Sequence, residues 1–262
     1  VKDPLRVAVF QMETAFDVSQ NARKIHAALD RAGDEQAGLL VVPECALSGY
    51  IPEPDLDFGA LEQAEAELAA HSAEAGVWLA LGTTRSKGVD WFNAVRLYSP
   101  TGAIVAAYDK THLIGGDRET FAPGASLPVF QAGAWTVGIQ VCFDMRFPEN
   151  WRILRRKGAE LVIHLSNASR SAPWKVPVLA GAVRSRAAEN GMFVASANDA
   201  RAPQMMVSAV YDPDGKELAS APENEEAMIF ADLDRSLVKA GFLEQRRTDL
   251  WNRPENRSLL LS

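Results

Sequence analysis

An α/β fold in a single domain is what this chain predicts, on three observations. Apolar runs rich in β-branched residues alternate with stretches of helical periodicity from end to end, as expected for strands covered by helices. No Gly/Ser-rich or Pro-rich linker, charge block or low-complexity tract interrupts the 262 residues, so one domain over residues 1–262 is expected. The stretch from Trp135 to Pro148, WTVGIQVCFDMRFP, condenses that alternation into strand, cysteine and helix start.

Taken in order, LRVAVFQM (5–12) reads as a first strand, and NARKIHAALDRAG (21–33) as a helix terminated at Gly33. LLVVPECALSGY (39–50) is an apolar run that ends at a charge. GALEQAEAELAAHSAEA (59–75) is amphipathic and helical, with His71 on its surface. VWLALGTTR and FNAVRLYSP follow as strands, and Pro100, Thr101 and Gly102 turn the chain into AIVAAYDKTHL. LPVFQ and the central WTVGIQV are the next strands, then a short helix over 148–157 opened by Pro148 and Glu149. ELVIHLSN is a strand and PWKVPVLAGAVRSRAAEN (173–190) a helix closed by Gly191. MFVASAND, MVSAVYDP and AMIFADLD complete the strands, with a turn at Pro213, Asp214 and Gly215. The tail RRTDLWNRPENRS is polar apart from Trp251 and is a candidate for packing on another subunit.

Three of these apolar runs end at a residue able to do chemistry: Glu44, Lys110 and Cys142. A side chain on the turn between a buried strand and a helix stands clear of the sheet, beside N–H groups that can hold a developing oxyanion. Cys142 there suits a nucleophile, although an inert buried thiol is the plain alternative. Glu44, at the lip of a buried sheet, is partly desolvated and can act as a base. Lys110, otherwise an ordinary surface cation, can stabilise an oxyanion from the same edge, together with the backbone N–H of Phe143. A papain-like pairing of Cys142 with His112 or His164 is the rival arrangement. His164 alternates with apolar neighbours as a core histidine does, and His112 can brace the lysine loop. Asp144 and Arg146 follow the nucleophile closely and can pair with each other or with partners at the pocket mouth. Cys45 reads as core.

Composition narrows the classes. With 47% hydrophobic and 23% charged residues, the chain can bury a large core without metals or disulfides. A formal net charge of −7 argues against nucleic-acid or anionic-membrane surfaces. No apolar run reaches the roughly 20 residues needed to span a bilayer, and the first residues lack signal-peptide architecture, so a cytosolic location is expected. Two cysteines cannot build a disulfide framework. Four scattered histidines give no metal-ligand spacing, and neither metal nor cofactor is expected.

In order along the chain, PECALSGY, YDKTHL and VCFDMRFPE resemble the nitrilase (carbon–nitrogen hydrolase) superfamily, in its aliphatic amidase-like branch. NAVRLYSPTG, FAPG and RSRAAENGMFVASAN extend the likeness over nearly the whole chain. The resemblance implies a four-layer αββα sandwich, a Glu–Lys–Cys triad falling on Glu44, Lys110 and Cys142, and a homodimer or higher homo-oligomer. It also implies a second carboxylate before the Pro-Gly turn; Glu119 looks like that residue, with Asp117 the substitute. The loop DRETFAPG further resembles amidases acting on amino-acid-derived amides. The expected activity is hydrolysis of the terminal amide of a small aliphatic compound through a thioester. N-carbamoyl or nitrile hydrolysis on the same triad, and a catalytically idle scaffold, are the alternatives.

Overall fold

The apolar runs become two six-stranded sheets stacked face to face, with strand orders β12-β1-β2-β3-β4-β5 and β11-β10-β9-β8-β7-β6. The computed structural model describes residues 5–51, 55–169, 172–239, 243–245, 247–251 and 253. The chain runs β1 (Leu5–Gln11), α1 (Val18–Asp34), β2 (Leu39–Val41), α2 (Phe58–Ala75), β3 (Trp78–Lys87), β4 (Asp90–Tyr98) and β5 (Ile104–Asp109), then a single-turn α3 (Asp117–Thr120). β6 (Val129–Ala132), β7 (Trp135–Val141), α4 (Pro148–Arg156), β8 (Leu161–Ser166), α5 (Val176–Asn190) and β9 (Phe193–Asn198) follow. β10 (Ala209–Tyr211), β11 (Glu217–Ser220), β12 (Ala227–Leu233) and a short α6 (Thr248–Trp251) complete it.

Strand alternation builds the layers. Val7 and Val9 on β1 and Leu161, Ile163 and Leu165 on β8 meet in the core between the sheets. Their neighbours face outward: Ala8 lies under α1 and α2 with Ile25, Leu29 and Leu68, and Val162 lies under α4 and α5 with Trp151, Leu154 and Val183. Helix, sheet, sheet, helix is therefore the four-layer αββα sandwich. Strands buried on both faces explain why the runs read as continuously apolar. Each fully buried Leu, Ile or Val contributes about 1.5–3 kcal/mol.

Capping fixes the helix ends. Asp17 accepts from the Gln20 N–H at 2.9 Å and starts α1 three residues before the helix expected from periodicity. That helix also runs past Gly33, and Gln36 takes the left-handed conformation instead. Pro148 does open α4, and Gly191 does cap α5. β11 was not anticipated: its residues are mostly exposed, so they carry no apolar signal, yet they pair with β10 across the Asp212–Lys216 turn. Most of the tail proposed to pack on another subunit lies outside the described residues. Among the described residues no helix is long and apolar enough to cross a membrane.

Two glycines permit the backbone approaches on which the strand ends depend. A Cβ at Gly82 on β3 would lie 2.0 Å from the Pro43 carbonyl oxygen and 2.8 Å from the Cys45 nitrogen. The peptides flanking Glu44 can press on β3 only because no side chain is there. A Cβ at Gly124 would lie 2.1 Å from the Asp109 oxygen, and the Gly124 N–H donates to the Lys110 carbonyl at 2.8 Å. Gly82→Ala and Gly124→Ala are each expected to cost about 1–3 kcal/mol as overpacking changes, and to lower turnover as well, because the displaced backbone carries Glu44 or Lys110. Gly181→Ala on α5, where an added methyl meets nothing within 4 Å, is the neutral control. Denaturant melts run beside activity assays check this; full turnover in both of the first two variants would refute the coupling.

Candidate active site

Lys110 and Cys142 follow directly on β5 and β7, and Glu44 lies three residues past the end of β2, so all three stand beyond strand ends of the two facing sheets. Glu44 is fully buried. Its Oε1 accepts from Lys110 Nζ at 2.7 Å and from Asn93 Nδ2 at 2.7 Å, and its Oε2 accepts from the Asn167 N–H at 2.8 Å. Lys110, also without side-chain exposure, donates a second bond, 2.6 Å long, to Asp117 Oδ2. Tyr50 OH donates to Asp117 Oδ1 at 2.6 Å and the Ile114 N–H to Oδ2 at 3.3 Å. Arg85 forks onto Asp109, the residue before the lysine, with Nε donating at 2.6 Å. The Lys110 N–H donates to the Asn93 carbonyl at 2.9 Å, so one residue of β4 fixes the lysine backbone and the glutamate side chain together.

Cys142 has φ 47°, a left-handed conformation unusual for a residue with a Cβ. It opens a 3₁₀ turn, Cys142–Arg146, whose first N–H groups lack intrahelical partners. Phe143 is the second residue of that turn. Its ring meets Phe147 edge-on, beside a cleft of about 420 Å³ that His112, Leu113 and Phe121 also line.

Burial, aided by the Glu44 charge, pushes the Cys142 thiol up to about 12, so it rests protonated. Burial likewise raises Glu44 above its ordinary range, against the pull of Lys110. For Lys110 burial opposes the charge, but Glu44, the Cys142 sulfur and Asp117 outweigh it and hold the ammonium well above its usual pKa. The result is a resting thiol beside a carboxylate whose proton affinity is raised, with a permanent cation between carboxylates.

The histidines are engaged elsewhere. His164 is fully buried, with Nδ1 2.9 Å from Ser196 Oγ and Nε2 3.2 Å from the Cys142 carbonyl oxygen. Burial lowers its pKa to about 4, so it is neutral near pH 7. His112 stacks on Phe147 with ring centroids 3.6 Å apart and sits in the lysine loop it was expected to brace. His112 Nδ1 lies 2.9 Å from Asp144 Oδ1, and both nitrogens of His164 are taken up by the contacts named. Cys45 is sealed in the core, through a left-handed turn rather than a continued strand. His71 is not free on its surface: its Nε2 lies 2.7 Å from Asp30 Oδ1.

Two expectations change. Glu119 is exposed and Asp117 fully buried; positions two apart on one helical turn face different sides, and the turn begins so that Asp117 is the one aimed at the lysine. Asp144 and Arg146 do not pair: Asp144 is buried and turned toward Tyr108 and the lysine loop, while Arg146 is exposed. Asn93, Tyr50 and Asn167 had not been singled out. Asn93 lies inside β4, and only its approach to Glu44, with β3 between β4 and β2, reveals it. Among the described residues no group of acidic, His or Cys side chains could hold a metal.

The carbon–nitrogen hydrolase family model matches residues 6–241. The chain belongs to the carbon–nitrogen hydrolase family. This carbon–nitrogen hydrolase is 34% identical to a Pseudomonas protegens protein described as a hydrolase in the pqqF 5' region, over 95% of this chain and 91% of that one. It is 26% identical to omega-amidase NIT2 of Homo sapiens, covering 94% of this chain and 96% of that protein. The amidase of Nesterenkonia sp. AN1, a member of the nitrilase superfamily, superposes with a TM-score of 0.83 at 26% identity, covering 95% of this chain and 96% of that one. That amidase has been solved with butyramide, and with the acetamide moiety of fluoroacetamide added covalently at its active-site cysteine.

The raised pKa of Glu44 gives a stability test. Below its ordinary value of 4.5 the side chain is neutral whether folded or unfolded, and no stability is lost. As pH rises from there toward the raised folded value, the unfolded chain ionises first and stability falls. Glu44→Gln lacks this titration but leaves the buried Lys110 ammonium with one carboxylate fewer at every pH, so the expected signature is a trend: its melting temperature relative to wild type rises between pH 4 and pH 7, by about 2–4 °C for each kcal/mol. Calorimetry of both proteins across that range checks the sign; a difference that moves in favour of wild type as pH rises contradicts it.

Proposed function

We propose that this hydrolase cleaves the terminal amide of a small aliphatic compound to a carboxylate and ammonia, through a thioester on Cys142. The observation that carries the reading is the buried Glu44–Lys110 pair, 2.7 Å apart at the strand ends where Cys142 is held. An amide carbonyl is a poor electrophile, so the reaction needs a strong nucleophile, a proton for the leaving nitrogen and a stabilised oxyanion. Glu44 takes the thiol proton as the sulfur attacks the carbonyl carbon. Lys110 and the Phe143 N–H hold the oxyanion. The C–N bond breaks as Glu44 returns the proton to nitrogen, and ammonia leaves. Water, deprotonated by Glu44, then attacks the thioester; the C–S bond breaks, and the proton goes back to sulfur.

Asp117 is the second carboxylate in this reading. It anchors the Lys110 ammonium, and Oδ1, with one donor from Tyr50, retains a lone pair able to accept from an amide NH₂ group, which a nitrile lacks. The omega-amidase relatives and the butyramide-binding amidase support the amide. Within the same reading the enzyme is a cytosolic homodimer. Trp174 and Val178, exposed where α5 begins, form an apolar surface on which a second subunit packs.

The test is an ammonia-release screen over aliphatic amides, ω-amido acids, N-carbamoyl amines and nitriles, with intact-mass analysis of quenched turnovers. Amide hydrolysis is expected to dominate, with an acyl adduct on Cys142 and none on Cys45. Asp117→Asn is expected to lower amide turnover by a factor on the order of 10², and Glu119→Ala to leave it near wild type. A preference for the nitrile or the N-carbamoyl substrate would move the reading to those chemistries on the same triad. No turnover of any class would favour an idle scaffold.

A further inference from the structure

We propose that Asp144 is a positioning residue of this reaction: its buried carboxylate ties the nucleophile turn to the lysine loop and so sets where the Cys142 sulfur stands relative to Lys110. The inference rests on Cys142 being the nucleophile. Asp144 has no exposed surface, and both of its oxygens are occupied. Oδ2 accepts from the Val141 N–H at 3.0 Å and from Tyr108 OH at 2.7 Å. Oδ1 accepts from the His112 N–H at 2.9 Å and from Thr111 Oγ1 at 2.9 Å, and His112 Nδ1 also lies 2.9 Å from it. Val141 immediately precedes the left-handed Cys142, whereas Tyr108, Thr111 and His112 flank Lys110 on either side. The turn follows β7 of one sheet and the loop follows β5 of the other. One carboxylate therefore bolts the two halves of the triad together.

The arrangement needs a carboxylate rather than any acceptor. Each oxygen receives one backbone N–H, and a backbone N–H can only donate. An asparagine in either orientation would turn its NH₂ group toward one of those two donors. Asp144→Asn thus keeps the size and removes the tie. Stacking of His112 on Phe147 supports the loop side by packing, but it places no acceptor at the Val141 N–H.

The experiment uses the full chain and two readouts: kcat and KM on an aliphatic amide, and the rate at which acrylamide labels Cys142, followed by intact mass. For folded Asp144→Asn, kcat and the labelling rate are expected to fall by a factor on the order of 10² while KM stays within about threefold. A merely structural residue would not split kcat from KM in a folded protein. Folded Asp144→Asn with both rates within about threefold of wild type overturns the proposal. If that variant fails to fold, Tyr108→Phe combined with Thr111→Val and His112→Phe decides: it keeps the carboxylate and an aromatic ring to stack on Phe147, and it cuts every side-chain tie from Asp144 to the loop. Labelling slowed by about tenfold supports the proposal, and labelling at the wild-type rate overturns it. A wild-type Cys142 that acrylamide does not label would instead remove the nucleophile reading beneath.

Discussion

A lysine ammonium sealed from water between two carboxylates is the constraint on which the site depends. A buried ion costs several kcal/mol of desolvation, and a pair recovers this only when its remaining hydrogen-bonding positions are filled. Here partners are supplied by Asn93 and the Asn167 N–H on Glu44, and by Tyr50 and the Ile114 N–H on Asp117, with one lone pair left on Asp117 Oδ1. Removing any one donor leaves a charge short of a partner, so the cluster behaves as a unit. What it yields is a cation that stays charged and a glutamate with raised proton affinity, beside a thiol that must be deprotonated during the reaction itself.

Those groups come from two sheets. Glu44 and Lys110 belong to one, while Cys142 and Asn167 follow strands of the other. Their separation is thus a packing distance, set by the apolar layer between the sheets. Gln11 adds a polar joint: its Oε1 accepts from the Ser208 N–H at 2.7 Å across the sandwich. Protein interiors are dense and poorly compressible, so a core of this kind holds reacting groups more precisely than loops do.

Much of this could be read from the sequence for a physical reason. A doubly buried strand must be continuously apolar, so Glu44 and Cys142 beyond the ends of β2 and β7 are conspicuous; Lys110 stood out after the apolar run AIVAAY although β5 is partly exposed, and the αββα layering followed from the resemblance they carried. Asp117 and Glu119 were not separable, because the side that faces inward on a single helical turn depends on where the turn begins, which backbone contacts at Ile114 and Gly115 decide. Asp144 could be read as pairing with Arg146 or with partners at the pocket mouth, since nothing local announces that Tyr108, Thr111 and the Val141 N–H converge on it. β11 escaped notice because an exposed strand has no reason to be apolar.

The place of β5 at the free border of its sheet has a consequence for how the enzyme fails. A border strand is hydrogen-bonded on one side only, and such segments open at lower free energy than the core. Lys110 follows the last residue of β5, so its backbone is carried by one of the border strands of the two sheets. Fraying there would withdraw the cation while the double-sheet interior stayed folded. Heat inactivation is then a local event at this border, visible as early hydrogen exchange at Tyr108 and Asp109 ahead of β8 and β9, and enzyme that has lost its activity could regain it on cooling without ever having unfolded.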